Sequence, residues 1–258
     1  MELISAKPVL DSLVFQIIYG GGYTYLDRCG QTLVDIERAR PDWIPGDVST
    51  HSGQLSNEVM RLAASFSVDR FELSATHIMT TKGAGLGAVA EEAQALWDTI
   101  RDNLALTEIV RVAVRFNWLL AKTSIEVAEK ALVGAPMKLV LPEPWSAAGF
   151  SPTTRSMVAV VKKDSVEYRV ALQTATRREG LQPTSLVATD PRFLPAGRKK
   201  AREDAIKNRL NYNANPLYGV HLDVDCVTFQ PPHVKAASYI TGQANVCREH
   251  FVPMLDNL

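Results

Sequence analysis

Three side chains with metal-binding chemistry stand two residues apart near the end of the chain: His221, Asp223 and Asp225. An imidazole and two carboxylates are ligands that Mn²⁺, Mg²⁺ or Zn²⁺ accepts. A divalent ion held by them could activate water for phosphodiester hydrolysis. The spacing therefore raises the hypothesis of a metal-dependent nuclease or phosphodiesterase.

The same spacing is also typical of two purely structural roles. Residues 218–229 alternate between polar and apolar types, which predicts a strand with one face in water. Alternatively, the two aspartates pair with Arg111 and Arg115, which share the polar side of another predicted strand with Asn117. The sequence favours a solvent-exposed strand face or this polar network over a metal site. We therefore expect no cofactor unless the metal hypothesis holds.

A basic segment supplies the predicted contact surface. Residues 177–210 contain nine lysines and arginines against four acidic residues. A solvated helix face would also account for this excess. Alternatively, the basic segment binds an acidic protein or nucleic acid. The whole chain has 28 basic and 28 acidic residues, so no global basic surface favours nucleic acid. The six residues that we expect to contact the partner are Arg198, Lys199, Lys200, Arg202, Lys207 and Arg209.

Other motifs give weaker indications of chemistry. Residues 82–88 fit Gly-x-Gly-x-x-Ala before a helix, as in a nucleotide-binding loop, although a plain turn accounts for them better. A nucleotide-binding sensor is therefore a third hypothesis. The sequence contains no Gly-x-Ser-x-Gly elbow, P-loop or His-Glu-x-x-His motif, which favours a protein without catalytic activity.

Composition and targeting signals bound the class of protein. The chain has 258 residues, of which 46% are hydrophobic and 22% charged, as in ordinary globular proteins. Its three cysteines show no paired CxxC spacing and suggest reduced thiols. We identify no signal peptide and no apolar run of about 20 residues, so we expect a cytoplasmic protein that does not enter a membrane.

The first half of the chain shows alternating strand and helix patterns. Strands are predicted at 9–19, 60–66, 71–79 and 107–118, and helices at 23–40 and 86–104, with a loop over 41–57. This βαββαβ order is that of a ferredoxin-like unit. We therefore expect an α+β protein of two sheet-and-helix halves with mainly antiparallel sheets, and the first half, residues 1–135, should be ferredoxin-like.

Four prolines between residues 136 and 152 predict a boundary or a long connection. The second half, residues 136–258, should contain a hairpin over 157–172, a short strand near 185–189, a helix at 198–210 and the strand 218–229. A helix over 233–257 closes the chain. These halves are either two domains or one continuous domain.

Three segments carry a family resemblance. The stretch from Arg111 to Asn117 resembles a strand of the form Arg-aliphatic-Gly-Leu-Arg-Tyr-x-Asn, and residues 222–225 resemble Leu-Asp-Ile-Asp. With an opening strand of the type of residues 9–19, they are similar to a sporadically distributed, uncharacterised family of bacterial proteins of about 260 residues. Ala113 departs from the family's glycine.

The resemblance implies a setting but no catalytic residues. Sporadic families often belong to mobile elements, toxin–antitoxin pairs or anti-phage defence. We therefore expect a non-enzymatic, partner-binding protein that acts as an accessory or neutralising factor. The alternative is the metal-dependent nuclease centred on His221, Asp223 and Asp225. The sequence leaves the oligomeric state open.

Overall fold

The computed structural model describes residues 7–76, 85–134, 156–177, 217–256 and 258. The strands are β1 (Val9–Tyr19), β2 (Ile44–Val48), β3 (Gly53–Asn57), β4 (Leu62–Phe66), β5 (Arg70–Thr76), β6 (Ile109–Lys122), β7 (Ser156–Lys163), β8 (Val166–Arg177) and β9 (Leu217–Phe229). The helices are α1 (Tyr25–Ala39), α2 (Leu86–Leu104), α3 (Ile125–Gly134), α4 (Ala236–His250) and α5 (Pro253–Asp256). The predicted α+β class is confirmed.

The strands form one antiparallel sheet in the order β2-β3-β4-β5-β1-β6-β9-β8-β7. Its long strands β1 and β9 are each hydrogen-bonded on both sides. The β6–β9 pairing runs from Arg111 opposite Phe229 to Lys122 opposite Tyr218. Strands from both predicted halves of the chain therefore lie side by side in a single sheet, so the expectation of a separate sheet in each half is wrong.

Helices α1, α2 and α4 pack on one face of this sheet. Alternation turns every second residue of each strand toward them, and the contacts between aromatic rings show the packing. The ring pairs are Tyr25 of α1 with Phe66, Trp97 of α2 with Tyr19 and Phe71, and Tyr239 of α4 with Phe15. Burial of these large apolar side chains is the main stabilising term of such a core. The opposite face is called the polar face below.

The largely enclosed carboxylate of Glu92 joins α1 to α2. The indole nitrogen of Trp43, a fully buried residue that follows α1, donates to Glu92 Oε2 at 2.6 Å. Arg40 at the end of α1 donates to the other oxygen of Glu92 at 2.5 Å. Both carboxylate oxygens are thus occupied by donors from the same short segment, which fixes the position of α1 against α2.

The predicted loop over 41–57 is wrong, because these residues contain β2 and β3. Pro45, Gly46 and several serines predict a loop locally, but the pairing with β4 imposes the extended conformation. Gly53 permits this pairing: a Cβ there would lie 2.8 Å from Cys29 Sγ and 3.0 Å from Phe66 Cε1. With two additional strands between α1 and β4, the predicted ferredoxin-like order is not confirmed.

The remaining predicted elements divide between confirmed and undescribed ones. The hairpins β4–β5 and β7–β8, the strands β6 and β9 and the helix over 86–104 are present as expected. The predicted closing helix is divided into α4 and α5. The strand near 185–189 and the helix at 198–210 lie outside the described residues. Within the described part of the chain, no helix has the length and apolar character needed to span a membrane.

Candidate functional site

The two polar motifs of the sequence lie on neighbouring strands. In the β6–β9 ladder, Arg115 is opposite Asp225 and Asn117 is opposite Asp223. Their apolar neighbours along each strand, such as Val114 and Val224, are fully buried in the core. Because alternate residues point to opposite sides of a strand, the arginine, the asparagine and both aspartates lie on the polar face.

Arg115 and Asp223 form the shortest ion pair of this face. Arg115 Nε donates to Asp223 Oδ1 at 2.8 Å, and Arg115 Nη2 donates to Asp223 Oδ2. This is the two-bond geometry that makes arginine–carboxylate pairs strong and directional. The hydrogen bonds to Asp223 raise the pKa of Arg115 further above its ordinary value. The Asp223 side chain is 14% exposed, whereas that of Arg115 is 55% exposed.

A second set of contacts continues across the sheet. Arg111 Nη2 lies 3.9 Å from Asp225 Oδ2, and Arg111 Nη1 donates to Gln16 Oε1 at 2.9 Å. Gln16 Nε2 in turn donates to Glu72 Oε2 at 3.1 Å. The chain of side chains crosses β9, β6, β1 and β5. We call these six residues the charged row: Glu72, Gln16, Arg111, Arg115, Asp223 and Asp225.

Asp225 is a partly buried member of the charged row whose carboxyl pKa is raised. Burial raises the pKa of its carboxyl group, because the charged form loses solvation, while Arg111 and Arg115 act in the opposite direction. The nearby Asp223 carboxylate adds to the rise and Arg169 opposes it. Desolvation is the largest of these effects, so the surrounding arginines compensate only partly for the burial of this charge.

Three members of this surface were missed by sequence reasoning. Gln16 and Glu72 belong to the charged row, and Arg169 of β8 lies opposite Asp225. The available signal for Gln16 was its position as a polar residue within the apolar run of β1. Arg169 follows the alternation of β8, but only the pairing of β8 with β9 places it beside an aspartate.

The predicted metal ligands do not form a cluster. His221 lies opposite Leu119 on β6 and Gln173 on β8, one step beyond Asp223 along the polar face. Both Asp223 oxygens accept hydrogen bonds from Arg115. Among the described residues, no group of three or more histidine, cysteine, aspartate or glutamate side chains is arranged to hold a metal ion.

Other predicted residues have different outcomes. Asn117 Nδ2 donates to Ser12 Oγ at 3.1 Å and so binds β1, not the aspartates. The six predicted partner-binding residues, Arg198, Lys199, Lys200, Arg202, Lys207 and Arg209, lie outside the described residues. The glycine pattern of residues 82–88 is described only from Gly85, which precedes α2.

Comparison with known proteins adds no assignment. No protein-family model and no curated protein sequence matches this chain. The geometry of the polar face is therefore the basis for assigning a function.

Proposed function

We propose that the protein acts by binding a protein partner through the charged row of its polar face. One observation carries this proposal: the Arg115 guanidinium is held by two hydrogen bonds while more than half of its side chain remains exposed. An arginine that is already positioned loses little conformational entropy when a partner docks on it. Arginine is also among the residues that most often dominate binding energy at protein interfaces.

The dimensions of the charged row support a macromolecular partner. It crosses four adjacent strands, and neighbouring strands are about 4.8 Å apart, so it spans roughly 14 Å across the sheet. Its charges alternate in sign along this distance. A surface of this type suits a partner with complementary alternating charges, which would give specificity and orientation.

The occupation of Asp223 favours binding over metal-dependent hydrolysis. A metal at Asp223 would compete with Arg115 for the same two oxygens. We therefore assign the aspartates the role of holding Arg111 and Arg115 in position. Cleavage of a phosphodiester by the purified protein that requires a divalent metal, and that Asp223→Asn with Asp225→Asn abolishes, would overturn this assignment.

We also propose the kind of genetic locus to which the protein belongs and a second contact surface. The resemblance of residues 111–117 and 222–225 to a sporadically distributed bacterial family supports an accessory or neutralising role in a mobile or defence locus. The basic segment 177–210 is proposed as an additional contact surface for an acidic partner. Changing Arg198, Lys199, Lys200 and Arg202 to glutamate should abolish capture of the partner, and unchanged capture would remove this segment from the proposal.

The test of the charged row compares the effect on partner affinity of the same substitution at two sites, one on the polar face and one on the helix layer. The partner is first identified by affinity purification from the native host, and its affinity is then measured with purified proteins. Arg115→Glu should weaken binding by about tenfold or more, as loss of an interface arginine commonly does. Arg38→Glu makes the same charge change on the exposed side of α1 and should leave binding nearly unchanged.

Two further measurements make this result decisive. Circular dichroism and thermal unfolding show whether each variant folds, and Arg115→Gln replaces the glutamate variant if that one does not. Equal affinities for the Arg115 and Arg38 variants would overturn the proposal, because the charged row would then make no specific contribution.

A further inference from the structure

The two edges of the sheet differ in how they are protected from further pairing. Edge strand β2 has five residues, contains Pro45, which lacks an amide hydrogen, and shows a register shift between Pro45 and Val48. Proline and irregular pairing are common means by which proteins block an exposed edge. Edge strand β7 has eight residues, contains neither proline nor glycine, and pairs with β8 without a register shift.

Strand β7 also exposes apolar side chains. Val158 and Val160 lie on the polar face, opposite Ala171 and Arg169 of β8, and are 52% and 61% exposed. Val161, on the helix-covered face, is 44% exposed. Among the described residues, no strand pairs with the outer side of β7, and a regular edge strand with β-branched residues is a surface on which another strand can add. The β7 edge is therefore suited to accept a strand from another molecule.

We propose that the strand added at this edge is β7 of a second copy of the chain, which makes the protein a homodimer. Antiparallel pairing centred on Ala159 places Val158 opposite the partner's Val160, and Met157 opposite the partner's Val161. The two-fold symmetry repeats each of these apolar pairs. A single strand sequence thus supplies both sides of the interface.

The charges at the end of β7 agree with this register. Lys162 lies opposite Glu167 of β8, and Lys163 Nζ lies 3.5 Å from His250 Nε2 of the same chain. In the antiparallel arrangement, Lys162 lies opposite the partner's Ser156, so the lysines of the two copies are at opposite ends of the interface. Parallel pairing would place these lysines side by side, and pairing centred on Val160 would place Lys162 opposite the partner's Val158.

The register also determines how the two sheets are oriented. Residues directly opposite each other in an antiparallel pair point to the same side. Val158 and Val160 both belong to the polar face, so the polar faces of the two copies lie on the same side of one continuous sheet. The dimer would present two charged rows together. The dimer goes beyond the proposed function. Because its tests measure mass and cross-linking and not partner affinity, the dimer and the partner-binding proposal can fail independently.

The first experiment measures the mass of the full chain in solution by sedimentation or light scattering. The expected mass is twice that of the 28.4 kDa chain. Val160→Lys at the β7 edge should yield a monomer, because it introduces a charge opposite the partner's Val158. Val48→Lys is the matched control at the β2 edge, where the side chain is 55% exposed, and this variant should remain a dimer.

The second experiment tests the register by cross-linking. Ala159→Cys should give a disulfide-linked dimer under copper–phenanthroline oxidation, because residue 159 lies opposite its own counterpart. Ser156→Cys is the control and should not cross-link, since its counterpart lies at the far end of the interface. The three native cysteines are buried.

A wild-type protein with the mass of one chain at all concentrations would overturn the dimer. So would a dimer that Val48→Lys dissociates while Val160→Lys does not. Equal cross-linking of the Ala159→Cys and Ser156→Cys variants would overturn the β7 register, and this measurement remains valid if Val160→Lys fails to fold.

Discussion

Arg115 of β6 and Asp223 of β9, 108 positions apart in the chain, form a two-bond ion pair that crosses the sheet diagonally. The pair is asymmetric, since the carboxylate is largely enclosed and the guanidinium is largely exposed. Removal of Arg115 therefore leaves an enclosed carboxylate without its donors, whereas removal of Asp223 leaves an arginine that water can reach. The resulting difference in stability is measurable.

The first prediction concerns this asymmetry. Arg115→Ala leaves the enclosed Asp223 carboxylate without its two donors and should lower the free energy of unfolding by about 1–3 kcal/mol. Asp223→Ala leaves an exposed arginine that can turn to water and should cost less. Urea unfolding of both single variants and of the double variant gives their coupling energy, expected near ~1 kcal/mol. Strict additivity of the two effects would contradict the pairing.

The second prediction concerns the buried charge of Asp225. Burial raises the pKa of this carboxyl group, so the folded state binds its proton more tightly than the unfolded state does. The stabilising contribution of protonated Asp225 is present below the ordinary carboxyl pKa of about 3.9 and is lost as pH rises through the folded-state pKa. Asp225→Asn should therefore become more stable relative to wild type as pH rises from acid to neutral.

Asp69 is the matched control for this pH dependence. Hydrogen bonds from Ser67 and Arg70 lower the pKa of its carboxyl group, so its stabilising contribution is present at neutral pH and is lost as pH falls. Asp69→Asn should become less stable relative to wild type as pH rises. Urea unfolding at several pH values measures both variants, and slopes of the same sign would contradict the assigned causes.

The third prediction tests the placement of β3. A methyl group at Gly53 would approach Cys29 Sγ and Phe66 within 3.0 Å, so Gly53→Ala should destabilise the protein by about 1–3 kcal/mol through overpacking. In contrast, apart from its chain neighbours and the backbone of its own helix, no atom lies within 4 Å of a Cβ built at Gly30 in the middle of α1. Gly30→Ala should stabilise the protein by about 0.5–1 kcal/mol. Thermal or urea unfolding compares them, and a neutral Gly53→Ala would be inconsistent with this packing.

The fourth prediction concerns the carboxylate that joins α1 to α2. Glu92→Gln removes one of the two acceptors that Trp43 and Arg40 occupy, and it turns an amide donor toward a donor. We expect a loss of about 1–3 kcal/mol in the free energy of unfolding. Glu91→Gln changes the exposed neighbouring residue and should alter stability by less than about 0.5 kcal/mol. Equal effects of the two substitutions would argue against these two hydrogen bonds.

Periodicity in the sequence was sufficient to predict which residues share a face. Alternation alone assigned Arg111 and Arg115 to one side of their strand, and Asp223 and Asp225 to one side of theirs, as the structure shows. The helical spacing of residues 86–104 likewise predicted α2 with its observed bounds. These assignments depend only on the geometry of one strand or helix, which a single sequence encodes directly.

Only the tertiary structure decided which strands are neighbours. Strand β9 pairs with β6 across more than ninety intervening residues, and this pairing brings Asp223 to Arg115 instead of to His221 in a shared site. Strand β3 is extended because β4, Cys29 and Phe66 surround Gly53, although its own composition predicts a loop. Such contacts depend on residues that are distant in the chain, so a local pattern can offer them as alternatives, as it did for the arginines and aspartates, but cannot select among them.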